Sequence, residues 1–163
     1  MIEICRNLFV GSEHDEASIR GQPGWFVIHA CKEPYHRQAL GYRSQGAPKH
    51  HPEYLIARRT GRLILNLVDA PDVNYIPSEI IDAALVAIDE NILWSTILIH
   101  CNLGQSRSPA IAFLYLAKYS STFEGRDCEE ALLHYQTIYP RFTPAKGMLD
   151  YIKLNWQKYS SRK

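Results

Sequence analysis

Four short apolar runs, each bounded by polar or turn-forming residues, predict the strands of a β-sheet. The runs are LFVG at 8–11, WFVIHAC at 25–31, RLILNLV at 62–68 and TILIHC at 96–101. Most are continuous in apolar residues, which is typical of strands buried on both faces. We therefore expect a sheet that is covered on both sides and mostly parallel.

Longer stretches carry apolar residues at helical spacing. The clearest example lies before the fourth run, where Ile81, Leu85 and Ile88 recur on one side of a helix. The helices are predicted at 13–20, 75–94, 108–119, 127–138 and 143–158. The 108–119 stretch is apolar almost all round, as a buried central helix would be. The order of elements predicts a single α/β domain over 1–163, with a central, mostly parallel sheet flanked by helices.

Composition places the chain among ordinary folded proteins. Of its 163 residues, 46% are hydrophobic and 21% are charged, and no repeat or low-complexity segment interrupts them. No run is long enough to cross a bilayer, and the first residues lack the basic start and apolar middle of a signal peptide. The four cysteines are too dispersed for a zinc site or a secreted disulfide scaffold. We expect a cytoplasmic protein with reduced thiols and no membrane contact.

Positive charge is concentrated in residues 32–62, which we call the basic segment. It contains seven Lys or Arg residues and two Glu residues, a net charge of +5, whereas the rest of the chain has 11 basic and 15 acidic residues. One interpretation is a solvated insertion with one helix at 53–59. The other is attraction of an anionic substrate, because the segment leaves a strand at the edge where open α/β sheets bind ligands. The candidate recognition residues are Arg37, Arg43, Lys49, His50 and His51.

One loop, within ILIHCNLGQSRSP at 97–109, has the composition of an anion-binding site. Cys101 ends a strand and a helix begins near Arg107, so backbone N–H groups and the helix dipole surround the thiol and favour its thiolate. Arg107 has a planar fork of donors that suits two phosphate oxygens. Gly104 permits a tight turn, and Ser108 can donate a hydrogen bond to the sulfur. The alternative is a buried structural cysteine.

The nine residues HCNLGQSRS, His100 to Ser108, resemble the signature loop of the cysteine-dependent protein tyrosine phosphatases, and the SRSP ending resembles their dual-specificity branch. The resemblance implies a metal-independent phosphatase without a cofactor, acting on phosphotyrosine in proteins, with phosphoserine and phosphothreonine as further candidates. It implies that Cys101 is the nucleophile that forms a phosphocysteine, that Arg107 binds phosphate, that Ser108 aids the second step and that His100 orients the loop. The implied phosphate-binding residues are Asn102, Leu103, Gly104, Gln105, Ser106 and Arg107.

A phosphatase also needs an acid that protonates the leaving oxygen, and two candidates follow the third strand. In the dual-specificity branch this acid typically lies a little over thirty residues before the cysteine and is often followed by an asparagine five positions later. Asp69 lies 32 residues before Cys101 and five before Asn74, so the resemblance selects it. Asp72 is interpreted as a turn residue after Pro71.

The sequence departs from the family pattern at two positions. Leu103 stands where alanine is frequent, and Ala145 stands where asparagine often precedes the last helix, so a supporting hydrogen bond is absent or is supplied differently. Cys31 ends its own parallel strand, and a disulfide between Cys101 and Cys31 under oxidation is a further hypothesis.

Two other functions stay open. Related enzymes apply the same chemistry to phosphoinositides or RNA 5′ ends, although they often carry lysine in the loop, whereas this loop is uncharged between Cys101 and Arg107. Nucleic acid is therefore a disfavoured partner. The chain could instead be a module that binds phosphate without turnover. The adjacent His50 and His51 lack further ligands at metal-binding spacing, which favours surface positions and no metal.

Overall fold

The computed structural model describes residues 1–161, which form one six-stranded sheet flanked by helices. The sheet order is β1-β2-β6-β3-β5-β4. The strands are Ile2–Cys5 (β1), Leu8–Gly11 (β2), Trp25–His29 (β3), Ile56–Arg59 (β4), Arg62–Leu65 (β5) and Thr96–His100 (β6). The helices are Glu13–Ile19 (α1), Arg37–Leu40 (α2), Ser78–Asn91 (α3), Arg107–Tyr119 (α4), Cys128–Ile138 (α5) and Lys146–Ser160 (α6).

The pairing of the strands confirms the predicted fold class. The four central strands β2, β6, β3 and β5 are parallel to one another, and an antiparallel strand, β1 or β4, closes each edge of the sheet. The predicted helix at 53–59 is wrong, because Ile56–Arg59 form the edge strand β4. The chain reverses at Thr60 and Gly61, where Gly61 has a φ of 71°, so that β4 and β5 make a two-residue hairpin.

Helix α4 is the centre of the core, as its sequence predicts. Every residue from Ser108 to Ala117 is buried, and the helix packs against α3, α6 and strands β2 and β6. Burial on all sides explains why this helix lacks a polar face. Within residues 1–161, no helix is both long and apolar enough to span a membrane.

The parallel register brings the carboxyl ends of three strands to one edge of the sheet. His29 at the end of β3 is paired with His100 at the end of β6, and the backbone N–H of Ala30 donates to the carbonyl of His100 at 2.8 Å. The residues after β5 join the same edge, because the Lys32 N–H donates to the Leu67 carbonyl at 2.9 Å. The loops that carry the predicted chemistry therefore lie next to one another.

Candidate active site

Cys101 lies directly after β6 and is almost fully buried, with 2% of its surface exposed. The hydroxyl of Ser108, in the first turn of α4, lies 3.2 Å from the Cys101 sulfur and 3.2 Å from the Gly11 carbonyl. The contact between Ser108 and the sulfur that the sequence predicts is thus present. The amino end of α4 faces the loop, so its dipole favours negative charge there.

Arg107 is held across the loop by two hydrogen bonds. One terminal nitrogen donates to the Leu67 carbonyl at 3.2 Å and the other to the Asn102 side-chain oxygen at 2.8 Å. The amide nitrogen of Asn102 in turn donates to the Glu13 carboxylate at 3.2 Å and the Glu33 carbonyl at 3.1 Å. Among the described residues, the buried Nε of Arg107 has no hydrogen-bond partner. These two hydrogen bonds use two of the five guanidinium N–H groups, so others, including the Nε–H, are left for a ligand.

Gly104 is required by the backbone of the loop. Its φ is 70°, and a Cβ at this position would lie 2.8 Å from the carbonyl group of Gly11. Both the left-handed conformation and the close approach of the two backbones therefore exclude a side chain. The loop is packed against the end of β2 with no space between them.

The connection between α5 and α6 supports the loop from a second direction. The Tyr139 hydroxyl donates to the Gly104 carbonyl at 2.7 Å, and the Thr143 N–H donates to the Gln105 carbonyl at 2.9 Å. Arg141 donates to the carbonyl of Leu103, whose side chain is exposed. The sequence interpretation missed these contacts and treated Tyr139 as a core residue. Nothing in the sequence signals them, because the donors lie some 35 to 40 residues away.

Asp69 and Asp72 occupy different places. Asp69 lines a cavity of about 130 Å³ together with Cys101 and Arg107, and it accepts a hydrogen bond of 2.8 Å from the Ser106 hydroxyl. Asp72 is exposed, and its carboxylate accepts the backbone N–H of Asn74 at 2.8 Å in a short 3₁₀ turn. It does not line that cavity. Of the two acids, Asp69 is the one beside the loop.

The start of α6 supports the segment that carries Asp69. The Ala145 N–H donates to the Ser106 hydroxyl at 2.9 Å, so a backbone group contacts the loop at the position where the family often has asparagine. Ser106 thereby bridges Asp69 and Ala145. Gly147 packs so closely on the Ala70 carbonyl that a Cβ there would clash with it. The resemblance to the phosphatase family drew attention to position 145, but no sequence signal pointed to the packing of Gly147 on Ala70.

His100 is part of a buried pair that the sequence interpretation did not foresee. Its Nε2 lies 2.6 Å from Nδ1 of His29, and the Tyr35 ring stacks on His29 and meets His100 edge-on. Burial lowers the pKa of both histidines, so both rings are neutral near pH 7. The Tyr35 hydroxyl donates to the carboxylate of the buried Glu16 at 3.2 Å.

The predicted recognition residues lie apart from Cys101. Arg37 is engaged by the Glu33 carboxylate through two hydrogen bonds of 2.7 and 2.8 Å, and it also donates to the Ser44 carbonyl. Arg43 and Lys49 are exposed. Within the described chain, none of these three cations lines the cavity that contains Cys101. Their role in substrate recognition stays a prediction.

The remaining predicted residues are His50, His51 and Cys31. His50 is exposed, and His51 accepts the Glu53 N–H at 3.0 Å. Residues 1–161 contain no cluster of three or more His, Cys, Asp or Glu side chains suited to a metal ion. Cys31 is a buried free thiol, and burial raises its pKa to about 12 although nearby Arg107 opposes the shift. Its disulfide with Cys101 stays a prediction.

Comparison with known proteins identifies the fold. No protein-family model and no curated protein matches the chain by sequence. Among solved structures, DUSP15 matches with a TM-score of 0.63 at 15% identity, covering 99% of this chain and 90% of its own. A human tyrosine phosphatase-like serine/threonine/tyrosine-interacting protein matches with a TM-score of 0.62 at 17% identity, and the match covers 98% of this chain and 97% of that protein. PTPMT1 in complex with PI(5)P matches with a TM-score of 0.57 at 16% identity, and the match covers 97% of this chain and 95% of PTPMT1. The chain has the dual-specificity phosphatase fold that its sequence predicts.

Proposed function

We propose that this chain is a cysteine-dependent phosphatase that hydrolyses phosphomonoesters on proteins without a metal ion. The observation that carries the proposal is the shared cavity of Cys101, Arg107 and Asp69, in which the Ser108 hydroxyl contacts the Cys101 sulfur at 3.2 Å. A buried structural cysteine would need neither a guanidinium with an unpaired N–H nor a carboxylate beside it. The phosphatase fold supports the same activity.

In this proposal the phosphate binds to the signature loop, His100 to Ser108. Its backbone N–H groups and the amino end of α4 supply partial positive charge, and Arg107 supplies a full one. The Nε–H of Arg107 is buried and lacks a partner among residues 1–161, and a phosphate oxygen is an acceptor of matching charge. Because Asn102 and the Leu67 carbonyl already orient the guanidinium, little side-chain entropy is lost on binding.

The reaction proceeds in two displacements. The Cys101 thiolate attacks phosphorus and forms the S–P bond while the P–O bond to the substrate breaks, and the Asp69 carboxylic acid gives its proton to the leaving oxygen. The Asp69 carboxylate then removes a proton from a water molecule, whose oxygen attacks phosphorus. The S–P bond breaks, the Ser108 hydroxyl stabilises the sulfur anion through its hydrogen bond, and inorganic phosphate leaves.

The basic segment forms one wall of a hollow beside this site. The hollow has a volume of about 310 Å³ and is lined by Lys32, Ala47, Tyr54, Leu55, Val68 and Tyr75, among others. The Lys32 N–H and the Arg107 guanidinium share the Leu67 carbonyl, so the hollow and the catalytic cavity are neighbours. Its largely apolar lining suits a peptide side chain next to phosphotyrosine better than a second phosphate.

Two observations favour a phosphoinositide as the second candidate substrate. One structural neighbour is described in complex with PI(5)P, and the basic segment carries a net charge of +5. Another neighbour is described as a phosphatase-like interacting protein, so phosphate binding without turnover is a further alternative. We also propose that the protein is cytoplasmic.

Hydrolysis of para-nitrophenyl phosphate tests the central claim. We expect wild-type activity that a chelator leaves unchanged and that Cys101→Ser abolishes. Cys128→Ser is the matched control, because Cys128 is a free cysteine on α5 outside the cavity, and it should retain activity. A wild-type protein that is inactive but binds phosphopeptides would instead identify a binding module.

The assignment of the acid is tested with phenyl phosphate, whose poor leaving group demands protonation. Asp69→Asn should lower kcat by about 10²- to 10⁴-fold, whereas Asp72→Asn should change it little. The opposite pattern would reject Asp69. A panel of phosphopeptides, phosphoinositides and RNA 5′ ends then ranks the substrate classes by kcat/KM.

A further inference from the structure

Asn102, the residue after Cys101, joins three parts of the molecule through its side-chain amide. The amide oxygen accepts a hydrogen bond of 2.8 Å from the Arg107 guanidinium. The amide nitrogen donates to the carboxylate of Glu13, the first residue of α1, at 3.2 Å, and to the carbonyl of Glu33 in the basic segment at 3.1 Å. Each N–H of the amide therefore has its own acceptor, and the oxygen is left for the arginine.

The three neighbours determine which way the Asn102 amide points. A guanidinium carries only N–H donors, so the atom that faces Arg107 must be the amide oxygen. A carboxylate and a backbone carbonyl only accept, so the atom that faces Glu13 and Glu33 must be the nitrogen. The reversed amide would place oxygen against two oxygens and N–H groups against the guanidinium. It would lose all three hydrogen bonds, so one orientation alone fits the site.

Glu13 makes the side-chain contribution to this orientation, because the Glu33 acceptor is a backbone group. Its backbone N–H also donates to the Asn102 carbonyl at 3.3 Å, so α1 and the loop are joined at two points. Within residues 1–161, the Asn102 amide is the only group that forms a hydrogen bond or an ion pair with the Glu13 carboxylate. The carboxylate is thus committed to Asn102 rather than shared with a lysine or an arginine.

Two simpler explanations of Glu13 are available, and each leaves this contact unexplained. A carboxylate in the first turn stabilises a helix through the helix dipole, which requires no contact with the loop. Electrostatically, a carboxylate close to an anion-binding loop repels the anion and opposes binding. An acid at this place is therefore unfavourable for the ligand unless it contributes something else, and its contact with Asn102 indicates what that is.

We propose that Glu13 is a positioning residue for Arg107. Its carboxylate holds the Asn102 amide in the orientation that presents oxygen to the guanidinium, and so places the arginine for a bound oxyanion. The binding of substrate phosphate by Arg107 rests on the proposed function, whereas the contacts that join Glu13 to Arg107 do not. Within residues 1–161, the lining of the catalytic cavity includes Arg107 but neither Glu13 nor Asn102, so Glu13 acts through its neighbours.

Two substitutions separate the hydrogen bond of Glu13 from its charge. Glu13→Gln removes the charge but keeps an oxygen that accepts from Asn102, whereas Glu13→Ala removes both. The measurement is the affinity for tungstate, a tetrahedral oxyanion that resembles phosphate, by titration calorimetry at pH 7 without substrate. Glu79→Ala is the matched control, because Glu79 is an exposed acid in the first turn of another helix, α3.

We expect Glu13→Ala to weaken tungstate binding by about 3- to 10-fold, the equivalent of one hydrogen bond. Glu13→Gln should bind as tightly as the wild type or more tightly, and Glu79→Ala should not differ from it. Repulsion alone predicts tighter binding in both Glu13 variants, so undiminished affinity in Glu13→Ala would overturn the proposal. Equal weakening in Glu13→Ala and Glu13→Gln, or in Glu13→Ala and Glu79→Ala, would also overturn it.

A reversal of the donor and the acceptor tests the orientation of the amide directly. Asn102→Asp sets a second carboxylate against Glu13, so it should weaken tungstate binding more than Glu13→Ala does. Adding Glu13→Gln to Asn102→Asp supplies an amide N–H that donates to the new carboxylate, and it should recover part of the loss. Absence of any recovery would overturn the proposal, because the two side chains would then act independently.

Tungstate binding requires no turnover, so the positioning role and the proposed function can fail separately. In an active protein, Glu13→Ala should raise KM for para-nitrophenyl phosphate by a factor similar to the loss of tungstate affinity, with a smaller change in kcat. A wild type that shows the expected tungstate pattern but hydrolyses no phosphomonoester would refute the proposed function and leave the positioning role intact. A wild type that does not bind tungstate would refute both.

Discussion

The signature loop and the basic segment meet at the same edge of the sheet but are held in different ways. The loop is fixed by residues far along the chain, including Gly11, Leu67 and Tyr139, which bind its backbone or side chains. The basic segment is tied largely to itself, through ion pairs such as Arg37 with Glu33 and Arg59 with Glu53. The conformation of the loop thus depends on long-range packing, whereas the charge of the basic segment can change without moving the loop.

The largest effect is expected where the loop packs on another backbone. Gly104→Ala forces a Cβ against the Gly11 carbonyl at a φ of 70°, so we expect kcat/KM for para-nitrophenyl phosphate to fall by about 100-fold, the scale of misplaced catalytic groups. Gly41→Ala, in the basic segment, is the matched control. Gly41 has a φ of 74° but open space around it, so strain alone should leave activity near wild type. Equal losses would show that the two regions do not differ.

The second effect concerns the support of Asp69. Gly147→Ala presses on the Ala70 carbonyl, so Asp69 should move and kcat for phenyl phosphate should fall by about tenfold, with a smaller loss for para-nitrophenyl phosphate. Gly46→Ala, in the open part of the basic segment, should affect neither substrate. An equal fall for both substrates would argue that the loop rather than the acid has moved.

The buried histidine pair lies beside both regions, with Tyr35 of the basic segment against its two rings, and should make stability depend on pH. Burial lowers the folded-state pKa of His29 and His100, so the unfolded chain takes up protons first as pH falls below about 6.5. The free energy of unfolding should then decline by up to about 1.4 kcal/mol per pH unit for each histidine. Denaturant unfolding at pH 7 and 5 should show a smaller decline in His29→Asn. Charged neighbours Glu16 and Arg20 are common to both proteins and cancel in the difference.

The smallest effect is expected from charge in the basic segment. Arg43→Gln with Lys49→Gln should lower kcat/KM by about 2- to 5-fold for multiply anionic substrates and leave para-nitrophenyl phosphate unchanged, because only long-range attraction is lost. Lys118→Gln with Arg126→Gln removes the same charge outside the segment and controls for net charge. Equal effects from the two pairs would exclude a role of the basic segment in recognition.

The sequence was most informative where short-range chemistry decides. Apolar runs located the central strands, and the HCNLGQSRS loop between a strand and a helix located Cys101 and Ser108. The resemblance to the dual-specificity branch selected Asp69 by its distance from Cys101, and Asp69 lines the cavity with Cys101. The prediction of a helix at 53–59 was wrong, because pairing of Ile56–Arg59 with β5 across a tight turn outweighs the local preference for a helix.

By itself, therefore, the sequence determined the α/β fold class and the position of the signature loop, and the family resemblance selected Asp69 as the candidate acid, since each depends on residues close together or at fixed spacing. Only the tertiary structure decided that His29 contacts His100. It also decided that Ser106 bridges Asp69 and Ala145. The ion pair of Arg37 with the Glu33 carboxylate likewise became known only from the structure. Most of these contacts join residues from different elements, whose approach is set by strand register and helix packing. No local pattern encodes that geometry.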